Sequence, residues 1–243
     1  MQETGNYQEL ARRFGLEATP QSVLQLTQIL ARQDCTVEEM AKVISTDPGL
    51  RARLLRVANP NAEDESEYSV ETVEDALFRN GIGCALLLAM GTPLALALAK
   101  TFQTMLSIKL ESIDVAAAPP IEPEHLLGTI GFSGKAEGRV CLRLSVESAT
   151  LIAARLLGLE PSDLTVPNEV NDTIGELLNI VTGNFRSNLS DAGLDCRLET
   201  PHVTRTSQLS VPKVPGGGLE RMAFRAQGLL LFVDVAVNPW NSD

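Results

Sequence analysis

Residues 169–190 read EVNDTIGELLNIVTGNFRSNLS, and the rest of the chain can be organised around them. Apolar residues recur here at spacings of three and four, which is typical of an amphipathic helix that packs one stripe against a core. The apolar residues are Val170, Ile174, Leu177, Leu178, Val181, Phe185 and Leu189. Asp172, Glu176, Asn179 and Gly183 form a second stripe on the other side of the helix. Glycine costs about 1 kcal/mol relative to alanine inside a helix, but its missing side chain lets another surface approach closely.

The composition indicates a folded, acidic protein. The chain has 243 residues, enough for one large domain or two small ones, and 44% of them are hydrophobic, enough to bury a core. There are 20 Lys and Arg residues against 31 Asp and Glu, which gives a net charge of −11. Nucleic acids and anionic membranes are bound by basic surfaces. We therefore expect neither as a partner.

The cysteines and the most apolar stretch both indicate a cytoplasmic protein without a membrane anchor. The four cysteines are far apart in sequence and form no C-x-x-C motif, so we expect reduced thiols that lie in the core. The first residues are polar and acidic, unlike a signal peptide. Residues 84–99 are apolar but are interrupted by Gly91-Thr92-Pro93 and fall short of the roughly 18 residues of a membrane span. They predict two buried helices that meet at a break.

The first part of the chain predicts short helices with clear start signals. Residues 20–58 hold three of them. Thr36 and Glu39 have the spacing of a capping box, and Asp47 followed by Pro48 is a helix start. Residues 60–70 predict a mobile acidic loop, and a fourth helix follows. Three arginines of the third helix are expected to face solvent: Arg51, Arg53 and Arg56.

The segments ISTDPGL at 44–50 and SVETVEDAL at 69–77 resemble the HDOD family. HDOD domains are helical signalling modules that are related to HD phosphohydrolases but lack their metal site. The resemblance covers about residues 18–92, the first half of such a domain. The two histidines of the chain, His125 and His202, lie outside it, so an HD-type metal centre cannot be assembled there. We expect both histidines to be structural and the chain to hold no metal.

Pro93 is the predicted boundary between two domains, a helical domain at 1–92 and an α+β domain at 93–243. The second domain reads α-β-β-β-α-α-β-β-β, which predicts helices packed on one antiparallel sheet. Its expected helices cover 94–106, 146–157 and 169–190, and its expected strands cover 108–115, 126–132, 139–144, 196–206, 221–227 and 229–237. Gly158 is expected to end the middle helix, and residues 215–218 are expected to form a flexible turn.

The pattern Asp172-x3-Glu176-x2-Asn179-x3-Gly183-Asn184, followed by Pro201, resembles the signature of the CheC/CheX/FliY phosphatases. LLGTIGFSG at 126–134 is similar to the first hairpin of that family. The resemblance implies a CheX-like fold over about residues 93–240 and activity on phosphorylated CheY-like response regulators. CheC-type members carry a second Glu-x-x-Asn motif on the helix that corresponds to 94–106. This chain has Lys-Thr-Phe-Gln at 100–103 instead, which implies one site per chain, as in CheX.

The resemblance also implies a role for each residue of the signature. Asn179 would hold the attacking water in line with the aspartyl phosphate, and Glu176 would pair with the active-site lysine of the receiver. The remaining residues would contact the receiver: Asp172, Gly183, Asn184 and Pro201. The receiver brings its own Mg²⁺, so no cofactor is expected on this chain.

Other functions stay open on the sequence alone. The domain could bind a receiver or a flagellar-switch component without turnover, or it could be a scaffold whose HDOD-like half recruits another signalling protein. Glutamate and asparagine on a solvated helix face are also common without any function. The chain could act as a monomer or as a homodimer.

Overall fold

The structure is a computed structural model. It describes residues 21–32, 34–59, 70–121, 123–135, 137–164, 166, 168–191, 194–207 and 218–237, and of residues 56, 57, 79–84, 86 and 218 it describes the backbone alone. The predicted loop at 60–70 and the predicted turn at 215–218 therefore lie almost wholly outside the described residues. No described helix is long and apolar enough to cross a membrane.

Three short helices begin the described chain, as predicted: α1 (Gln21–Leu30), α2 (Val37–Thr46) and α3 (Pro48–Ala58). The capping box before α2 is present, since the Glu39 amide donates to the Thr36 hydroxyl at 3.2 Å and the Thr36 amide donates to the Glu39 carboxylate at 3.3 Å. Asp47 caps α3 by accepting from the amide of Gly49 at 2.8 Å. These contacts satisfy backbone donors that a helix start leaves without partners.

Helix α4 (Val73–Thr101) is one continuous element of 29 residues with Pro93 inside it. The predicted break at Gly91-Thr92-Pro93 is wrong, and the proposed boundary between residues 92 and 93 falls within this helix. Proline removes one backbone hydrogen bond and disfavours a helix interior, but Leu88, Leu94 and Leu98 are all buried around it. Packing on several sides holds the helix together where local preference alone would end it. A π-helical turn (Phe102–Leu106) continues it.

A seven-stranded antiparallel sheet forms the second layer. Its strands are β1 (Glu111–Ile113), β2 (His125–Gly134), β3 (Gly138–Ser145), β4 (Cys196–Leu198), β5 (His202–Thr206), β6 (Gly218–Ala226) and β7 (Leu229–Val237). The order is β1-β6-β7-β3-β2-β4, and β5 also pairs with β2. The single strand predicted at 196–206 is two strands, since Pro201 lies between them and cannot donate to a ladder. The strand predicted at 108–115 is shorter and lies at the sheet edge.

Helices α5 (Val146–Leu157) and α6 (Glu169–Asp191) complete the predicted α+β fold. Gly158 ends α5 with a φ of 69°, a left-handed conformation that suits glycine. The apolar stripe of α6 is buried as predicted and faces the sheet. Phe185 on α6 meets Phe132 on β2 edge to face, with ring centres 6.0 Å apart. This contact fixes the C-terminal half of α6 over β2.

The opposite face of the sheet buries a charged group. Asp234 on β7 accepts from Arg143 on β3 and from Arg221 on β6, and burial raises the pKa of Asp234 to about 6 against the lowering effect of Arg221. Cys141 is the cross-strand neighbour of Asp234. Burial, and to a smaller extent the Asp234 charge, raises the pKa of the Cys141 thiol to about 12. Cys141 is in the core, as predicted, whereas Cys35 and Cys196 are only half-buried.

An ion pair joins the first helices to the sheet. Nη2 of Arg53 on α3 donates to Glu220 on β6 at 2.6 and 2.8 Å, and Nε donates to the same carboxylate at 2.9 Å. The side chains are only 25% and 12% exposed. The prediction that Arg53 faces solvent is therefore wrong. Gly91 lies against the pair, because a Cβ on it would be 2.7 Å from Nη2 of Arg53 and 2.9 Å from Cδ of Glu220.

Candidate functional site

The candidate site is the exposed stripe of α6. Asp172, Glu176 and Asn179 are exposed, whereas Ile174 and Leu177 between them are buried. The spacings of four and three residues place the three polar side chains on one side of the helix. The helix thus presents two carboxylates and one carboxamide side by side, as the sequence predicts.

The side chains of Glu176 and Asn179 are available to an external partner. Within the described part of the chain, neither side chain forms a hydrogen bond or an ion pair. A carboxamide offers two donor hydrogens and an acceptor oxygen, and a carboxylate offers acceptors only. The pair can therefore accept from a cation on another molecule and, one turn away, bind a water or a hydroxyl group. Both are carried by the same rigid helix, which fixes their spacing.

No neighbouring group within the described fold requires a glycine at position 183. A Cβ placed on it would meet nothing within 4 Å. By contrast, a Cβ on Gly175, on the buried side of the same helix, would be 3.6 Å from Cγ2 of Val203. The bare backbone at Gly183 therefore faces open space, next to Asn179 along the stripe. This is the property that a close approach by another protein would need.

Asn184 does not lie on the exposed stripe. It is half-buried, and its Nδ2 donates to Oγ1 of Thr101, the last residue of α4, at 3.2 Å. One turn further on, Nδ2 of Asn188 donates to the carbonyl of Pro93 at 3.5 Å. The structure therefore brings Asp172, Glu176, Asn179 and Gly183 together on one surface and turns Asn184 towards the neighbouring helix.

Pro201 is half-buried in the connection between β4 and β5. Strand β5 runs along the outer side of β2 and packs against α6, where Val203 meets Gly175. Pro201 thus belongs to the part of the sheet that lies under α6. Its strand-breaking effect sets where β5 begins, at His202, the next residue.

Among the described residues, neither the two histidines nor the end of α4, where CheC-type proteins carry their second motif, forms a comparable site. His125 is buried with its Nδ1 3.2 Å from the carbonyl of Pro123, and His202 is exposed on β5. No cluster of three or more metal-binding side chains occurs among the described residues. Of the residues that replace the second motif, Thr101 and Phe102 are buried, Lys100 is exposed and Gln103 is half-buried, so neither a glutamate nor an asparagine is presented there.

The roles of two supporting residues could not be predicted from the sequence. Thr101 supports α6 through Asn184, and Arg53 holds α3 against the sheet through Glu220. The partners are 83 and 167 residues apart. Helical periodicity shows which side of a helix is buried but not which side chain lies opposite. A buried threonine near the end of an apolar helix gives no signal that a particular amide will reach it.

Family models match both parts of the chain. The model described as chemotaxis phosphatase CheX matches residues 126–219, which contain α5 and α6 and most of the sheet. The HDOD domain model matches residues 16–118. That match continues past the expected end at residue 92 and includes all of α4. No curated protein sequence matches the chain.

Solved structures show the same fold. The chemotaxis protein CheX from Vibrio vulnificus is 26% identical with a TM-score of 0.52, and the match covers 60% of this chain and 95% of that one. CheX from Desulfovibrio desulfuricans is 18% identical with a TM-score of 0.53, covering 61% and 99%. A chemotactic CheC-like protein from Shewanella oneidensis is 22% identical with a TM-score of 0.52, covering 61% and 97%.

Proposed function

We propose that the chain hydrolyses the aspartyl phosphate of a CheY-like response regulator, because residues 126–219 match the model of the chemotaxis phosphatase CheX and residues 16–118 match the HDOD model. The observation that carries the proposal is the surface of α6, where Glu176 and Asn179 are exposed without internal partners beside the bare backbone of Gly183. The packing of α6 against the sheet does not require this combination of residues.

Asn179 is the proposed water-positioning residue. In the reaction, a water oxygen bonds to phosphorus while the bond from phosphorus to the aspartate carboxylate oxygen breaks, giving the free carboxylate and inorganic phosphate. The carboxamide oxygen of Asn179 accepts a hydrogen bond from the water. A lone pair of the water oxygen is then directed at phosphorus. Little covalent chemistry is required of the enzyme, so placing the water in line accounts for most of the acceleration.

Glu176 is the proposed receiver-binding carboxylate. It is one helical turn before Asn179, and it is exposed, so a lysine of the receiver can reach it without rearrangement of α6. Asp172, a further turn back, adds a second negative charge to the same side. Charge complementarity of this kind favours the correct partner and its orientation. Pairing with the receiver lysine would bring Asn179 over the phosphoryl group.

The receiver is the proposed source of the metal ion. In this scheme Mg²⁺ stays with the receiver and neutralises charge on the phosphoryl oxygens. This chain supplies one carboxylate, one carboxamide and an open backbone at Gly183 where receiver loops can approach. The proposed substrate also places the chain in the cytoplasm.

The test is dephosphorylation of a CheY-like receiver under single-turnover conditions, with affinity measured separately against the beryllofluoride-bound receiver. Asn179→Ala should slow the reaction about a hundredfold or more, as loss of one positioned polar group at a reacting centre does, and should leave affinity nearly unchanged. Glu176→Ala should lower both rate and affinity, and Glu176→Lys should lower them further by setting like charges together. Ser45→Ala, an exposed position on α2, is the matched control and should behave as wild type.

A wild-type rate for Asn179→Ala would refute the phosphatase mechanism. If Glu176→Lys still abolished affinity in that case, the surface would be a receiver-binding module without turnover. If neither substitution changed rate or affinity, α6 would not be the contact surface at all.

A further inference from the structure

Two asparagines attach the inner side of α6 to α4. Asn184 donates to the hydroxyl oxygen of Thr101 at 3.2 Å, and Asn188 donates to the carbonyl of Pro93 at 3.5 Å. The Thr101 hydroxyl itself donates to the carbonyl of Ala97 at 2.8 Å. Its proton is therefore committed within α4, and its oxygen lone pair is directed to Asn184. Thr101 is 1% exposed, so water does not compete for this contact.

These contacts lie away from the proposed site on the helix circumference. At 3.6 residues per turn, Asn184 is about 140° and Asn188 about 180° around the helix from Asn179. Most of the buried residues of α6 are apolar, including Val181 and Phe185. Apolar burial is non-directional, so on its own it leaves the rotation of the helix about its axis loosely defined. Hydrogen bonds to a fixed acceptor weaken steeply when the geometry changes.

A small rotation of α6 would matter at the site. Side-chain ends lie about 6 Å from a helix axis, so a rotation of about 10° moves the Asn179 carboxamide by roughly 1 Å. A displacement of that size at a reacting centre can cost on the order of a hundredfold in rate. The affinity for the receiver is less sensitive, since it is spread over many contacts.

We propose that Asn184 is a positioning residue, which fixes the rotation of α6 through its hydrogen bond to Thr101 and thereby holds the Asn179 carboxamide in its reactive position. This inference rests on the proposed phosphatase function. Because α4 lies within residues 16–118, the HDOD-type segment supplies the support for the site. A change in that segment that shifts the end of α4 would alter the rate without touching the receiver.

The first test compares two substitutions at the acceptor. Thr101→Val keeps a branched side chain of similar shape but removes the oxygen, and Thr101→Ser keeps the oxygen. We expect Thr101→Val to slow single-turnover dephosphorylation about tenfold, with affinity for the beryllofluoride-bound receiver within about twofold of wild type. Thr101→Ser should restore the rate to within about twofold. A residue that only stabilised the fold would change rate and affinity together, and the hydroxyl would not rescue it.

The second test acts on the donor. Asn184 is half-buried, so its replacement by alanine is more easily tolerated than a change at the buried Thr101. Asn184→Ala therefore tests the same hydrogen bond if Thr101→Val fails to fold. It should show the same loss of rate with unchanged affinity, and the control Ser45→Ala on α2 should not. Wild-type rates for both Thr101→Val and Asn184→Ala, or equal losses of rate and affinity, would overturn the positioning role.

Asn179→Ala, measured in parallel, separates the two proposals. If Asn179→Ala is slow while the Thr101 and Asn184 variants are not, the phosphatase function stands and the positioning role fails. If Asn179→Ala reacts at the wild-type rate, the phosphatase function fails and this inference fails with it.

Discussion

Gly91→Ala should destabilise the protein, although alanine is the better helix former. Gly91 lies in the interior of α4, where replacing glycine by alanine normally stabilises by about 1 kcal/mol. Here the new Cβ would lie 2.7 Å from Nη2 of Arg53 and 2.9 Å from Cδ of Glu220. The ion pair would have to move, and it has other contacts to lose. Nη1 of Arg53 also donates to Thr92 at 3.2 Å, and Nη2 donates to the carbonyl of Leu88 at 3.4 Å.

The burial of the pair sets the size of the effect. Breaking a fully buried ion pair costs about 3–5 kcal/mol, and breaking an exposed one costs about 0–1 kcal/mol. With side chains 25% and 12% exposed, an intermediate value of about 2 kcal/mol applies. Subtracting the helix gain of about 1 kcal/mol leaves a net loss of about 1 kcal/mol, which lowers the melting temperature by about 2–4 °C for a chain of this size.

The assay is a set of urea unfolding curves in two backgrounds. In an Arg53→Ala, Glu220→Ala background the space beside Gly91 is empty, so Gly91→Ala should stabilise by about 1 kcal/mol. The sign of its effect should thus reverse between backgrounds. Gly183→Ala is the matched control, because its Cβ meets nothing within 4 Å, and it should stabilise equally in both. An identical effect of Gly91→Ala in the two backgrounds would show that the glycine does not make room for the pair.

Three further outcomes are expected. Gly183→Ala should raise the free energy of unfolding by about 1 kcal/mol yet weaken receiver binding in a titration, and unchanged affinity would mean that no partner approaches Gly183. Phe185→Ala should lower that free energy by about 3–5 kcal/mol, because Phe185 is fully buried against Phe132, and a loss below about 1 kcal/mol in urea unfolding would contradict its central place in the core. Burial raises the pKa of the Cys141 thiol to about 12, so Cys141 should resist iodoacetamide at pH 8 until urea is added. Peptide mass spectrometry measures the alkylation. Rapid alkylation of the native protein would contradict this expectation. Because the unfolded thiol ionises from about pH 9 and the folded thiol only near 12, this group should also make stability fall as pH rises between those values.

Local signals explain what the sequence could predict about the fold. The helix starts at Thr36 and Asp47 depend on contacts within three residues, and the buried stripe of α6 depends on periodicity alone. The continuity of α4 could not be predicted in this way. Pro93 acts locally as a breaker, and its effect is overcome by burial against other helices and the sheet, which no short window of sequence contains.

The sequence predicts the positions of some residues of the candidate site but not of others. Exposure of Glu176 and Asn179 follows from their spacing relative to the apolar stripe, and the structure confirms it, whereas Gly183 is half-buried with open space beside its Cα. The orientation of Asn184 does not follow, since its position on the helix is intermediate and its partner belongs to another segment. Periodicity divides a helix surface into buried and exposed sides, but residues at the margin are assigned only by what lies next to them.

Helix α4 also limits how such a chain can be inherited. The two family matches are separate along the sequence, since one ends at residue 118 and the other begins at residue 126. In three dimensions α4, encoded with the first, packs against α6 of the second and against β6, which begins where the second match ends. A gene fusion or exchange at residues 119–125 would therefore bring in a foreign helix beneath α6, without Thr101 or the contacts of Arg53. We therefore expect the two segments to be inherited together. Exchange of either one would remove the contacts that join α4 to α6 and β6.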